Sequence, residues 1–184
     1  TTRNYELGLK GNALGGLLSL DLAVYFITWD NIQIPNLLVP PDFLFFYTDN
    51  VSEAESSGVE ATFELRPRRG LRLWLAGAYN DAHLTAAFPS MASIPAGSGD
   101  RLPYSPRWSG NVGFDWEYPV GPDATLSIGG TVTHVGDRIA NFSAVSSAQD
   151  LPAYNQFDAR AGLALNDWSF TAFINNIGDE RGVL

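Results

Sequence analysis

The sequence predicts an all-β fold: the antiparallel wall of a transmembrane β-barrel, with about eight up-and-down strands in 184 residues. One observation behind this prediction is that apolar and polar residues alternate along successive runs, as in strands with one apolar and one polar face. The other is the spacing of the runs. Short, turn-like gaps alternate with long polar gaps, which is typical of a barrel wall with turns at one end and loops at the other.

The gaps also orient the wall. The short gaps lie around 11–15, 67–70, 119–123 and 166–167, and the long gaps lie at roughly 31–54, 86–104 and 136–153. Outer-membrane barrels have short periplasmic turns and longer extracellular loops. The sequence therefore predicts that the turns at Pro67, Pro119 and Asn166 are periplasmic and that the long loops are extracellular.

Taken in order, the strands differ in how clearly they alternate. The first, near Tyr5–Leu9, is short and the least defined, whereas the second alternates well over 18–26. The third has apolar residues at its odd positions and polar residues at its even positions over 59–66. The fourth, beginning at Leu71, is weaker because Trp74 falls among its polar positions.

The second half of the chain repeats the pattern. In the fifth strand, Trp108–Tyr118, the even positions are apolar or glycine and the odd positions are polar or glycine. The sixth covers 125–133, the seventh covers 157–165, and the eighth covers 168–175 with Phe173 out of pattern. A helical period of about 3.6 residues is nowhere sustained, so the sequence predicts no helix.

Three features favour a lipid-facing wall over a soluble sheet. The polar face carries small neutral residues more than charged ones. Several runs reach about 11 residues, the length of a tilted membrane strand, whereas a globular strand has about 5 or 6. Aromatic residues also lie near both strand ends, as in interfacial girdles. They are Trp116, Tyr118 and Trp168 beside short turns, and Tyr79, Trp108 and Phe157 beside long loops.

The composition limits the classes of function. A net charge of −9 argues against a nucleic-acid partner, which needs a clustered basic face. The absence of cysteine excludes a disulfide framework and a thiolate metal site. No apolar run reaches the roughly 18 residues of a transmembrane helix, and the first residues do not resemble a signal peptide. Because an outer-membrane protein must be exported, either maturation or truncation has removed the signal peptide, and we favour truncation.

Segments along the whole chain resemble the TonB-dependent receptors of bacterial outer membranes. They are Ala23–Gln33, Asn50–Ala61, Leu102–Pro106, Tyr154–Arg160 and Phe173–Arg181. The last of them resembles the signature that precedes the final strand in that family. Each segment is degenerate alone, but their order and spacing make the set specific.

The resemblance implies a barrel of about 22 strands whose lumen is closed by an N-terminal plug. It also implies an outer-membrane receptor for energy-coupled uptake of a siderophore, vitamin, carbohydrate or similar small ligand. The implied partners are outer-membrane lipid, the plug, and an inner-membrane energy-coupling complex that acts through the plug. Because the sequence shows no plug, no energy-coupling box and no aromatic-ended final strand, we expect residues 1–184 to be a partial barrel domain.

The candidate site residues are charged residues predicted to face the lumen, where they are placed to touch the plug or line the transport path. They are Glu60, Glu64, Arg66, Asp115, Glu117 and Arg160. No catalytic residue, cofactor or metal is predicted, and no enzyme activity is expected. His83 and His134 lack a third ligand at close spacing, and the sequence contains no nucleophile elbow or phosphate-binding glycine loop.

The long loops carry two further groups. Asp49, Glu53 and Glu55 form an acidic cluster that either attracts a cation or is a solvated rim. Aromatic residues of the loops either grip a flat ligand or anchor the loops against one another. They are Phe45, Phe46, Tyr47, Phe88 and Phe142.

Two alternatives stay open on the sequence alone. A complete eight-stranded barrel would require the first strand to pair with the eighth. A soluble β-sandwich that binds carbohydrate would use the loop aromatics as stacking platforms and would fold cooperatively without detergent.

Overall fold

The computed structural model describes residues 1–38, 45–88, 95–142 and 149–182. Within these ranges the side chains of 34–38, 45–47, 49 and 51 are not described. The predicted roles of Phe45, Phe46, Tyr47 and the Asp49 carboxylate therefore lie outside the described residues. In the part of the chain that is described, no helix has the length and hydropathy needed to cross a membrane.

The described secondary structure is almost wholly β. The strands are β1 (Thr2–Ala13), β2 (Leu18–Leu38), β3 (Phe45–Arg68), β4 (Leu71–Leu84), β5 (Trp108–Gly121), β6 (Ala124–Val135), β7 (Arg138–Ile139), β8 (Asp150–Leu151), β9 (Tyr154–Leu165) and β10 (Trp168–Ile174). A single 3-10 turn, Leu14–Gly16, separates β1 from β2.

Eight strands form one antiparallel sheet, as predicted. Their order is β1-β2-β3-β4-β5-β6-β9-β10, so neighbours in the sheet follow one another along the chain. The small strands β7 and β8 pair with each other inside the loop between β6 and β9. This up-and-down order confirms the predicted barrel wall.

The sheet is open over the described residues. β1 pairs with β2 and β10 pairs with β9, but β1 and β10 do not pair with each other. The alternative of a closed eight-stranded barrel requires that pairing, so it is not the observed arrangement. The described residues also provide no second sheet large enough to cover this one, which a β-sandwich requires.

The strand register places most large apolar side chains on one face. Leu75, Val112, Val132 and Phe157 form one row across four neighbouring strands. This face is open, since Leu75 is 47% exposed and Val112 is 48% exposed. An apolar surface that spans a whole sheet needs a nonpolar covering, and the hydrocarbon of a bilayer supplies one.

Aromatic pairs lie at both ends of this apolar face. Tyr79 and Trp108 meet at the long-loop end with ring centroids 4.7 Å apart. Trp116 and Tyr118 meet at the short-turn end with centroids 5.5 Å apart. The two pairs are placed as interfacial girdles, which agrees with the two-ended aromatic pattern of the sequence.

β2 and β3 extend well beyond their predicted ends. They continue until Leu38 pairs with Phe45, so most of the predicted loop 31–54 is strand. The register shifts after Trp29, where Asn31 has a φ of 59°. Because this bulge interrupts the two-residue period, alternation alone did not reveal the extension.

Two smaller differences concern β1 and the short strands β7 and β8. β1 is longer than predicted and pairs with β2 from Thr2, opposite Trp29, to Ala13, opposite Leu18. β7 and β8 were not predicted because two residues each are too few to show a period.

A small buried core lies at the long-loop end. Leu84 is 0% exposed and clusters with Ile32, Ala54 and Phe88. The rings of Phe88 and Phe142 meet edge to face with centroids 5.2 Å apart. These two aromatic residues therefore anchor the loops against each other, which is one of the two roles predicted for them.

Candidate functional site

The six candidate residues lie on the polar face of the wall. They are Glu60, Glu64, Arg66, Asp115, Glu117 and Arg160. Glu64 is opposite Trp74 on β4, and Asp115 and Arg160 are both opposite Gly129 on β6. Since paired residues share a face, the strands bring these charges together on the side opposite the apolar surface.

Four of the candidates join Arg72 in a line of ion pairs. Arg66 lies 2.5 Å from Glu64, and Glu64 lies 2.7 Å from Arg72. Arg72 lies 3.5 Å from Asp115, and Asp115 pairs with Arg160. We call Arg66, Glu64, Arg72, Asp115 and Arg160 the charge ladder. It crosses the polar face from β3 to β9.

Arg72 is the member of the charge ladder that the sequence did not reveal. It lies on β4, the strand whose alternation is blurred by Trp74. The register pairs Arg72 directly with Asp115, so its guanidinium stands between two carboxylates. Its spacing of two residues from Trp74 places both on the polar face, and that spacing was the available signal.

The charge ladder is partly exposed. The side chains of Arg72 and Arg160 are 45% and 51% exposed, and those of Glu64 and Asp115 are 18% and 29% exposed. Ion pairs with this degree of solvent contact contribute about 0–1 kcal/mol each. The charge ladder therefore adds little to the stability of the wall. Its main effect is to hold charged groups at fixed positions on the polar face.

Gly129 makes the last step of the charge ladder possible. It stands between Asp115 and Arg160 in the register. A Cβ atom at this position would come within 2.7 Å of Asp115 Oδ1 and 2.9 Å of Arg160 Nε. The two side chains meet above β6 because Gly129 has no side chain.

Long side chains also lie over glycines elsewhere on the polar face. The Tyr25 side chain lies over Gly58, and its hydroxyl donates to Asn80 Oδ1 at 3.0 Å. The Trp74 ring lies so close to Gly113 that a Cβ there would be 2.4 Å from its Cζ2. The polar face is thus braced by side chains that lie flat along the wall.

Asn80 is the centre of a second polar cluster, nearer to the long loops. Its Oδ1 accepts hydrogen bonds from the hydroxyls of Tyr25 and Ser56 at 3.0 Å and 2.6 Å. Its Nδ2 donates to the Ser105 hydroxyl at 2.8 Å. Because Ser105 belongs to the loop between β4 and β5, this cluster ties that loop to the wall.

A concave region of about 790 Å³ lies beside the charge ladder at the short-turn end. Its charged lining consists of five arginines and two carboxylates: Arg66, Arg68, Arg69, Arg72, Arg160, Asp115 and Glu117. Cations therefore outnumber carboxylates here, although the chain as a whole carries a net charge of −9. A surface of this charge is suited to an anionic or polar partner and could bind one without covalent chemistry.

The remaining two candidates stand apart from the charge ladder. Glu117 lines the 790 Å³ region but is not among the ladder's ion pairs. Glu60 lines a separate recess of about 320 Å³ with Thr62, Ala78 and Asn111. The polar face thus has a charged part toward the short turns and a part lined mainly by small residues toward the loops.

Arg101 joins two of the long loops. Its guanidinium lies 2.7 Å from the Asp137 carboxylate and also donates to the Ser105 carbonyl at 2.7 Å. The Arg101 side chain is only 15% exposed. Its hydrogen bond to Asp137 lowers the pKa of that carboxyl below the ordinary value.

The two histidines have separate partners. His83 Nε2 lies 3.1 Å from the Glu55 carboxylate, and His134 Nδ1 lies 2.8 Å from Asn155 Oδ1. Glu55, a member of the predicted acidic cluster, is therefore engaged by a side chain of the wall. Among the described residues, no group of three or more His, Cys, Asp or Glu side chains is placed to hold a metal ion.

Comparison with known proteins identifies the family. The family model described as TonB dependent receptor-like, beta-barrel matches residues 1–177. The metal-pseudopaline receptor CntO of Pseudomonas aeruginosa is 32% identical over 181 residues, which are 97% of this chain and 24% of that receptor. The chain thus spans about a quarter of the length of this curated relative.

Solved receptor structures contain the same wall. The ferric yersiniabactin uptake receptor FyuA from Yersinia pestis superposes with a TM-score of 0.75 at 18% identity, over 98% of this chain and 25% of that one. The siderophore receptor PiuA from Acinetobacter baumannii superposes with a TM-score of 0.74 at 20% identity, over 98% and 25% of the two chains. This chain belongs to the TonB-dependent receptor β-barrel family and lies in the bacterial outer membrane.

Proposed function

We propose that the full-length protein is an outer-membrane receptor that takes up a metal–siderophore complex by energy-coupled transport. The observation that carries the proposal is the two-faced wall, with a continuous apolar face outside and the charge ladder inside. The receptors named above support a metal chelate over a vitamin or a carbohydrate. CntO is a metal-pseudopaline receptor, FyuA a ferric yersiniabactin uptake receptor, and PiuA a siderophore receptor.

The two edges of the sheet suggest how the wall is completed. β1 and β10 each have a neighbour on one side within the described residues. In the full-length barrel, further strands of the same protein pair with both edges, because an open edge does not persist in a bilayer. Residues 1–184 are then a partial barrel domain, and the plug domain and final strand belong to other parts of the protein.

The polar face fits an N-terminal plug as its partner. In the 790 Å³ region, Arg66, Arg72 and Arg160 lie on the polar face. Glu64 and Asp115 fix the direction of Arg72. Carboxylates and backbone carbonyls of a plug would meet these arginines. An inner-membrane energy-coupling complex would act through the plug and free the path along the smaller residues beside Glu60. No step of this uptake requires catalysis or a cofactor.

Uptake by whole cells tests the proposal. A strain without the receptor is compared with the same strain carrying it, and accumulation of a radioactive metal is measured for a panel of metal chelates. We expect at least one chelate to enter only in the complemented strain, and entry to stop when a protonophore collapses the inner-membrane potential. The proposal fails if no chelate depends on the receptor, or if entry continues without the potential.

One substitution pair tests the role of the charge ladder in the same assay. Arg72→Gln removes the cation between Glu64 and Asp115, so we expect slower uptake with unchanged receptor abundance and unchanged binding of the chelate to intact cells. Arg3→Gln is the matched control, because Arg3 on the edge strand β1 pairs with Asp30 on β2, away from the ladder. Uptake by Arg72→Gln at the rate of the parent would contradict a role for the ladder in plug movement.

A further inference from the structure

The turn between β3 and β4 carries two adjacent arginines with an unusual environment. Eight of the nine lysines and arginines outside this turn form the described ion pairs with carboxylates, and the ninth, Arg138, is engaged elsewhere, with its guanidinium over the Tyr154 ring at 5.9 Å. Among the described residues, Arg68 and Arg69 have no carboxylate partner. In a chain with 20 acidic residues and 11 basic ones, two neighbouring cations are therefore left for an anion from outside.

A bulge turns Arg68 toward the membrane side of the wall. The register shifts between Leu65 and Arg68, so Arg68 pairs with Leu71. Leu71 in turn pairs with Trp116. Because paired residues share a face, Arg68 lies on the apolar face, whereas Arg66 points into the lumen.

Aromatic side chains fix the level of Arg68 in the bilayer. Its guanidinium lies over the Trp116 ring, 5.0 Å from the centroid, and the Trp116 ring is paired with Tyr118. Tryptophan and tyrosine on a lipid-facing wall lie at the level of the headgroups. A guanidinium stacked on such a ring is held at the depth of the lipid phosphates, and its N–H groups are free to bind them in pairs.

The turn itself is held against the neighbouring strand. Gly70 has a φ of 77°, which favours glycine, and its carbonyl accepts a hydrogen bond from the Glu117 backbone at 2.7 Å. A Cβ on Gly70 would come within 2.1 Å of the Glu117 carbonyl oxygen. The two arginines therefore sit on a turn whose backbone position is set by β5, next to the Trp116–Tyr118 pair.

We propose that Arg68 and Arg69 bind the headgroup phosphate of an anionic phospholipid in the periplasmic leaflet of the outer membrane. Trp116 positions the Arg68 guanidinium, and the apolar face below it accepts the acyl chains. The site lies at the short-turn edge of the wall, where Arg68 faces outward over Trp116 and Arg69 also lines the 790 Å³ region. It is independent of the ligand that the receptor transports.

Lipid binding to the purified full-length receptor tests this proposal. The receptor, in a neutral detergent, is titrated with phosphatidylglycerol or phosphatidylethanolamine, and bound lipid is counted by native mass spectrometry. We expect preferential binding of phosphatidylglycerol, and loss of about tenfold or more of that affinity in the double variant Arg68→Gln/Arg69→Gln. The double variant Arg3→Gln/Arg107→Gln removes the same charge at the long-loop end, and we expect it to bind like the parent.

A folding assay, a single variant and a competition with inorganic phosphate complete the test. Heat-modifiable migration shows whether each variant is folded, and if the double variant is not, Arg69→Gln alone is expected to lose affinity by a smaller factor. Inorganic phosphate at millimolar concentration is expected to leave phosphatidylglycerol bound, since the acyl chains add to the headgroup contact. Equal affinity of the parent and the Arg68 and Arg69 variants, equal loss in the Arg3/Arg107 control, or displacement by free phosphate would each overturn the proposal.

Discussion

Asp115 on β5 and Arg160 on β9 form an ion pair although the whole of β6 lies between their strands. Adjacent strands are about 4.8 Å apart, so the two backbones are separated by roughly twice that distance. The side chains bridge it only because the residue between them, Gly129, leaves the surface of β6 bare. This charged pair thus links two strands that share no backbone hydrogen bonds.

The first prediction concerns this bridge. In a double-mutant cycle with Asp115→Asn and Arg160→Gln, we expect a coupling free energy of about 0.2–1 kcal/mol, because both side chains are partly exposed. In a Gly129→Val background the new side chain separates the two groups, so the coupling is expected to fall to near zero. Urea unfolding of the full-length receptor in lipid vesicles measures both cycles. An unchanged coupling would show that the ion pair does not pass over Gly129.

A second prediction concerns Gly58, which lies under the Tyr25 side chain. Its Cβ would meet the Tyr79 carbonyl oxygen and the Tyr25 hydroxyl, each at 2.4 Å. Because one of these atoms belongs to the backbone, Gly58→Ala must move β4 and is expected to cost about 1–3 kcal/mol of unfolding free energy. Gly77→Ala is the matched control, since its nearest atom would be 3.8 Å away. Urea unfolding in vesicles should separate the two variants, and equal costs would contradict the close approach at Gly58.

Much of the wall could be predicted from the sequence because a barrel strand has a simple period. Trp108–Tyr118 keeps its alternation without interruption, and the structure places its two sets of residues on opposite faces, as predicted. The prediction failed where that period is broken by backbone geometry. The bulge at Asn31 hid the continuation of β2. The bulge before Arg68 places that arginine on the apolar face, within a segment that was predicted only as a turn.

The candidate site was predicted in part for the same reason. The facing of Glu64, Asp115 and Arg160 follows from alternation within each strand. Their connection does not, because it depends on the register between strands and on Arg72 lying opposite Asp115. The alternation within one strand does not determine its register with the neighbouring strand. That Gly129 lies between Asp115 and Arg160 becomes visible only when β5, β6 and β9 are aligned.

The third prediction tests the assignment of the two faces. Val112 lies on the apolar face midway between the aromatic pairs, and Asn111 lies on the polar face one residue away. Val112→Arg is expected to cost about 2–4 kcal/mol near the bilayer midplane, whereas Asn111→Arg, which faces water, should cost less than about 1 kcal/mol. Asn111 is a better control than Asp115, because an arginine at 115 would stand between Arg72 and Arg160. Urea unfolding in vesicles measures both, and equal costs would contradict the orientation.

The last prediction concerns the contact between Arg101 and Asp137, which holds two long loops together outside the membrane. The hydrogen bond from Arg101 lowers the pKa of Asp137 below the ordinary value of 3.8. A carboxyl with a lowered pKa in the folded state stabilises the fold fully above its ordinary pKa, and this contribution is lost as the pH falls through the lowered value. We therefore expect the loop over 85–107 to loosen below about pH 3.8, and not between pH 5 and 8.

Cleavage by pepsin, which is active in this acidic range, measures the loosening on the full-length receptor. In the parent, the rate of cleavage within 85–107 should rise as the pH falls below the ordinary pKa of 3.8. Asp137→Asn lacks the titrating carboxylate, so its loop should already be cleaved faster than that of the parent at pH 4 and show little further change. The ratio of the two rates at each pH removes the pH dependence of pepsin itself. A ratio that stays constant with pH would mean that protonation of Asp137 does not release Arg101, because Arg101 also donates to the backbone carbonyl of Asp137.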